Sequence, residues 1–129
     1  MRIAFATGDG RVADQHFGQT PSFDIVEVNT DDYTWAYIET RANSAAHGGE
    51  SDKHGQVETG IAAIVDCDVV IAARVGVHVQ RLLTPRGIQV LEQTGVISDL
   101  TERYILYLKR QRQLAQRRGA DAENLKGDK

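Results

Sequence analysis

One cysteine, two prolines and one tryptophan in 129 residues set the first limits. With Cys67 alone, no intrachain disulfide forms, and neither a zinc ribbon nor a four-cysteine iron–sulfur site can be built from this chain by itself. No apolar run approaches the ~20 residues that a bilayer-spanning helix needs. No charged-then-apolar leader precedes the strand-like RIAFAT, so a reducing cytoplasmic setting without membrane association is expected. A P-loop, a GxGxxG turn and a Ser-His-Asp order are also missing, and no familiar catalytic apparatus is on offer.

Charge of one sign is scarce in each part of the chain. The formal net charge of −3 comes from 15 Lys/Arg and 18 Asp/Glu. Residues 1 to 108 hold 8 basic against 15 acidic side chains, whereas KRQRQLAQRR, residues 109 to 118, holds five basic and no acidic ones. An acidic body repels a phosphate backbone, so nucleic-acid binding would rest on that short segment, and a solvated helical face accounts for it without any nucleic acid. The length is that of one domain with a core that needs no staple. The expected division is a folded body over 1–108 and a basic helical extension with a frayed tail over 109–129.

What is present is a pattern of strands and helices. RIAFAT (2–7) alternates like a strand and stops at Gly8 and Gly10. SFDIVEV (22–28) and YTWAYIE (33–39) flank the turn-forming residues 29–32 and predict a hairpin, with Tyr33, Trp35 and Tyr37 on one face as core or cross-strand packing. Residues 40–53 show no periodicity and read as a long loop. Val57, Ile61, Ile64 and Val65 recur at helical spacing, against a cost of ~1 kcal/mol each from Gly55 and Gly60. DVVIAA (68–73), a short helix within RVGVHVQRLL, and IQVL (88–91) predict a βαβ unit with a parallel strand pair. Ile97, Leu100, Tyr104, Ile105 and Leu108 form the stripe of a last helix. The sum is an α/β fold: one mixed sheet of about five strands with helices on its faces.

Ligands collect at the carboxyl ends of parallel strands, which singles out two loops. The first is 14-DQHFGQTPSF-23, where His16, Phe17 and Gly18 sit side by side. His16 either binds something or hydrogen-bonds its own loop, and Phe17 serves as an apolar anchor. The second follows residues 68–73, where Arg74 and Gly76 precede a helix start and suit an anion. Cys67, at the entry to a buried strand, reads as a core thiol or a metal ligand. His47, His54 and His78 are weaker metal candidates. Asp9, Asp14 and Asp24 leave open a metal-dependent phosphodiesterase, although their spacing does not make them converge.

RIAFAT, DQHFG, the later Phe23, the helix ending at DCDVV, the VG turn at 75–76 and the RLL…GI…V element together resemble the dinitrogenase iron–molybdenum cofactor biosynthesis family. That group contains NifX, the carboxyl-terminal domain of NifB and the cofactor-carrying gamma protein. The similarity covers roughly residues 2 to 92. It departs from the family where 47-HGGESDKH-54 and 74-RVGVH-78 stand. The resemblance implies a ribonuclease-H-like α/β fold without enzyme activity. It implies transient binding of an iron–sulfur cluster, the iron–molybdenum cofactor or its precursor. It also implies nitrogenase cofactor assembly proteins or apo-dinitrogenase as partners, while monomer and homodimer both stay open. His16 matches the family's loop histidine, and Cys67 matches a cysteine common in relatives. A regulatory or interaction module of the same fold, docking through its basic helix, is the alternative.

Overall fold

In the computed structural model, residues 1–43 and 59–127 are described. The elements run β1 (Arg2–Thr7), β2 (Val12–Ala13), β3 (Ser22–Val28), β4 (Trp35–Ala42), α1 (59–63), β5 (Val69–Ala72), α2 (Val77–Leu83), β6 (Gln89–Glu92), β7 (Gly95–Val96) and α3 (Ile97–Gly127). Two compact units result, Met1–Ile97 and Ser98–Lys129.

One mixed sheet organises the first unit. β1 lies at its centre, antiparallel to β3 and β2 and parallel to β5, which in turn pairs in parallel with β6. Residues 3 to 7 of β1 and all four residues of β5 are almost fully buried. Such strands are covered on both faces, which explains the unbroken apolar run DVVIAA. On one face Ala4, Ala6, Phe23, Ile25, Val70 and Ala72 join Ile61, Ile64, Val79 and Leu83 in the core cluster. The small side chains of β1 leave room there for larger ones from the helices and from Phe17.

The expected strands and the βαβ unit are present, with differences that have local causes. Among the described residues the sheet has seven strands, because β2 and β7 add two-residue pairings, Val12 with Val96 and Ala13 with Gly95, to the five longer ones. Tyr33 stands outside β4 with a left-handed backbone, φ 61°. Asn29 holds that turn: its Oδ1 accepts from the Asp31 amide at 2.8 Å and its carbonyl from the Tyr33 amide at 2.8 Å. Trp35 and Tyr37 do lie cross-strand, opposite Val28 and Val26, but a bulge follows in which Ile38 has no partner. Among the described residues β4 pairs with β3 alone, and Tyr37 remains 56% exposed, so the aromatic row is not core. β4 also takes up residues 40–42 of the expected loop.

Gly60 is part of the packing. A Cβ placed on it would stand 3.0 Å from Phe17 Cε1, so α1 reaches the Phe17 ring because this residue has no side chain. Arg41 ties β4 to the end of α1, donating to Asp66 (2.5 and 2.9 Å) and to the Ala63 carbonyl (2.8 Å). In α3, Leu100, Thr101, Tyr104 and Ile105 are buried, whereas every side chain from 109 to 120 is exposed.

Candidate functional site

The loop after β1 is built by its own side chains. Thr7 Oγ1 accepts from the Gly10 amide (2.9 Å), and Asp9 Oδ1 accepts from the amides of Arg11 (2.8 Å) and Val12 (3.0 Å). Those backbone hydrogen bonds hold the Asp9 carboxyl below its ordinary range. Thr20 Oγ1 reaches the carbonyls of Ser22 (2.7 Å) and Thr7 (3.2 Å), and Asn43 Nδ2 donates to the Thr20 carbonyl (3.1 Å). Both ends of the loop are therefore fixed before any ligand arrives.

Between those ends the loop crosses to the carboxyl end of β5. The Ala73 amide donates to the Gln15 carbonyl (3.0 Å) and the Phe17 amide to the Arg74 carbonyl (2.9 Å), making a parallel bridge between His16 and Arg74. Phe17 turns inward, 1% exposed, with its ring 5.5 Å from that of Phe23. By the alternation of extended backbone, His16 is left outward beside Arg74. His16, Gly18, Gln19, Arg74, Gly76 and Val79 line one cavity of about 290 Å³.

Of the five residues singled out in the two loops, His16, Gly18, Arg74 and Gly76 thus share one cavity, and Phe17, read as the apolar anchor, puts its ring in the core. A Cβ at Gly18 or Gly76 would meet nothing within 4 Å, so neither glycine is demanded by close packing. Among the described residues, the side chains of His16 and Arg74 have no hydrogen-bond or ion-pair partner. A ligand atom and a positive charge are therefore both available at this opening.

The other candidates lie elsewhere. Cys67 precedes β5 whereas Arg74 follows it, and a four-residue strand covers ~13 Å, so the thiol and the cavity stand at opposite ends and cannot share one metal ion. Cys67 is 5% exposed within the core cluster, and burial, helped by the Asp66 charge, pushes its thiol up to about 12. His78 is exposed on α2 and does not line the cavity. His47 and His54 lie outside the described residues. Asp24 is buried and accepts from Thr40 Oγ1 (2.7 Å), Asp14 accepts from Gln15 Nε2, and Asp9 holds its turn. Among the described residues no three His, Cys, Asp or Glu side chains gather as a metal site.

Larger depressions among the described residues carry less chemistry: about 460 Å³ beside Met1 and the β3–β4 turn, and about 400 Å³ between Ile61, Val65 and Leu82. Neither is lined by a histidine or a cysteine. One contributor near the cavity escapes the sequence patterns. Glu92, the last residue of β6, accepts from the Val75 amide (3.3 Å) at the turn between Arg74 and Gly76. Its signal is the rule already applied to the first two loops, since IQVL is a third parallel strand and Glu92 stands at its carboxyl end.

The sequence matches the dinitrogenase iron–molybdenum cofactor family over residues 1–107. The chain belongs to this family. It is 33% identical over 89 residues to protein NifX of Klebsiella pneumoniae, an alignment that takes in 69% of this chain and 54% of NifX. The chain thus spans about half the length of that curated relative. Three solved structures share the fold. They are the apo form of the orange protein of Desulfovibrio gigas (TM-score 0.61, 18% identity, 83% of this chain and 88% of that one), PH0822 (0.58, 23%, 81% and 88%) and a putative dinitrogenase of Methanocaldococcus jannaschii (0.54, 15%, 84% and 90%). The family match includes both loops that line the cavity. No helix among the described residues is long and apolar enough to cross a membrane.

Proposed function

We propose that this member of the family is a non-enzymatic carrier for an iron–sulfur cluster, the iron–molybdenum cofactor or its precursor, during nitrogenase cofactor assembly. The observation behind the reading is the pairing of His16 and Arg74 over one cavity in a chain of this family. His16 supplies an imidazole ligand, and Arg74, with the Gly76 turn, offsets the negative charge of the cargo. A preformed cluster brings its own sulfides, so a carrier needs only one or two exchangeable protein ligands. An opening with a single ligand suits release as much as capture. The carrier works in the cytoplasm and exchanges cargo with assembly proteins or apo-dinitrogenase, with residues 1–108 as the binding body. The sheet order β4-β3-β1-β5-β6, in which β3 alone opposes the others, supports a ribonuclease-H-like description.

The test is anaerobic titration with isolated iron–molybdenum cofactor, followed by gel filtration. A brown, iron-containing protein is expected. His16→Ala should weaken binding about tenfold or more at nearly unchanged stability, because the residue is exposed. Wild-type protein that stays colourless at stoichiometric cofactor would reject the carrier. That outcome would favour the second reading, an interaction module, which draws on the exposed basic stretch from 109 to 118.

A further inference from the structure

Two side chains that do not line the cavity hold one of its walls. Gln80, on α2, donates from Nε2 to the Val75 carbonyl (2.9 Å) and to Glu92 Oε1 (3.2 Å). The same Glu92 oxygen accepts from the Val75 amide (3.3 Å). Both partners of Gln80 are acceptors, so only the amide nitrogen satisfies them and the chemistry fixes which way that amide faces. Val75 is also 2% exposed within the core cluster. The residue between Arg74 and Gly76 is therefore tied at its N–H, its carbonyl and its side chain.

Among the described residues nothing else at this helix start does the same work. α2 has no side-chain cap at Gly76 and no acidic residue in its first turn. Glu92 reaches across from β6 to the residue before that N-cap, and in doing so it uses the Val75 amide internally rather than leaving it for a ligand. On this geometry an anion at the cavity is met by Arg74 and not by the Val75 N–H.

We propose that Gln80 and Glu92 are positioning residues for the cavity, acting through the Val75 turn to keep Arg74 and Gly76 opposite His16. The proposal rests on reading this cavity as the cargo site. It separates cleanly from a simple charge effect. If Glu92 acted only as a negative charge beside an anionic cargo, removing that charge by Ala or by Gln would tighten binding in both cases. If it acts as an acceptor that holds the turn, Ala weakens binding while Gln, which keeps the Oε1 carbonyl, preserves it.

The experiment uses full-length protein and isolated iron–molybdenum cofactor under anaerobic conditions, with Glu92→Ala, Glu92→Gln, Gln80→Ala and His16→Ala side by side. Amide hydrogen exchange at Val75 is followed by NMR without cofactor. Glu92→Ala is expected to raise Kd about tenfold and to speed exchange at Val75, with Gln80→Ala changing both in the same direction and Glu92→Gln within about twofold of wild type. Thermal unfolding checks each fold. Should Glu92→Ala not fold, Gln80→Ala and the Val75 exchange rate decide the matter. Unchanged Kd in Glu92→Ala and Gln80→Ala beside a weakened His16→Ala overturns the positioning role and leaves the carrier standing. Equal loss in Glu92→Gln and Glu92→Ala also overturns it. An unchanged Kd in His16→Ala would remove the site and the positioning role together.

Discussion

Gly60→Ala sets two effects against each other, and the structure says which wins. In a helix, replacing glycine by alanine gains up to ~1 kcal/mol of propensity. At Gly60, however, the new Cβ would lie 3.0 Å from Phe17 Cε1 and 3.3 Å from Cζ, against an optimum of ~3.5–4.0 Å for two carbons. The ring has to retreat by roughly half an ångström on that optimum. It is 1% exposed and already stacked at a tilt on Phe23, so little space is open to it. Overpacking of this kind costs ~1–3 kcal/mol, and the middle of that range less the ~1 kcal/mol gain leaves a net loss of ~1 kcal/mol and a fall in Tm of several degrees.

Gly119→Ala is the matched control. That glycine lies exposed in α3, and a Cβ added there would meet no atom within 4 Å, so the same substitution should stabilise by up to ~1 kcal/mol. Urea and thermal unfolding read both variants. Adding Phe17→Leu to Gly60→Ala should cost less than the sum of the single changes, because the smaller side chain relieves the clash. A Gly60→Ala protein as stable as wild type would show that the ring has room and that the packing argument is wrong.

Three further outcomes follow from other parts of the fold. Cys67 should resist small alkylating reagents at pH 8 in the native protein and react in urea. Its folded value, about 12, lies above its ordinary 9.0, so the thiol stays protonated when folded and its contribution to stability is lost as pH rises above ~9; rapid native labelling would contradict this. Asp66 is held well below its ordinary 3.8 by hydrogen bonds from Arg41 and then Arg2, so its contribution is present above that value and lost as pH falls below it. Asp66→Asn should cost about 1 kcal/mol near neutral pH, discounted for exposure, and should flatten acid unfolding, whereas an unchanged acid limb would discard the clamp. Deleting residues 109–129 should leave folding and cofactor affinity intact, since 109–120 are exposed, but weaken partner association in a salt-dependent way. Loss of folding on that deletion would put the core boundary in the wrong place.

Legibility followed the strength of the local pattern. β1, β3 and β5 were readable because their apolar residues are continuous or alternate over four to seven positions. β2 and β7 are two residues each and carry no period; they exist because tertiary neighbours pair with them. Of the aromatic row, Trp35 and Tyr37 keep their cross-strand places, whereas the Asn29 turn puts Tyr33 in a left-handed conformation outside β4, and Ile38 interrupts the pairing with β3 only after them. Gly60 counts against a helix in the sequence, yet its meaning is set by an aromatic ring 43 residues earlier in the chain, which no local window contains.

The two halves of the cavity show where sequence pattern and three-dimensional register meet. His16 and Arg74 are 58 positions apart, and nothing in either loop refers to the other. What joins them is that β1 and β5 are parallel neighbours, with Phe5 opposite Ile71, so both loops leave the sheet at the same end. The register alone would not be enough, because β1 ends at Thr7 and eight residues separate it from His16. Those residues fold back through the Asp9 turn and β2, and the Gln15 and Phe17 backbone then extends the ladder by one bridge to Arg74. Phe17 secures that bridge from inside the core. The loop histidine is thus aimed by a buried neighbour and by a strand from the other half of the fold, so changes at Phe17 or Gly60 reach the site without touching a ligand.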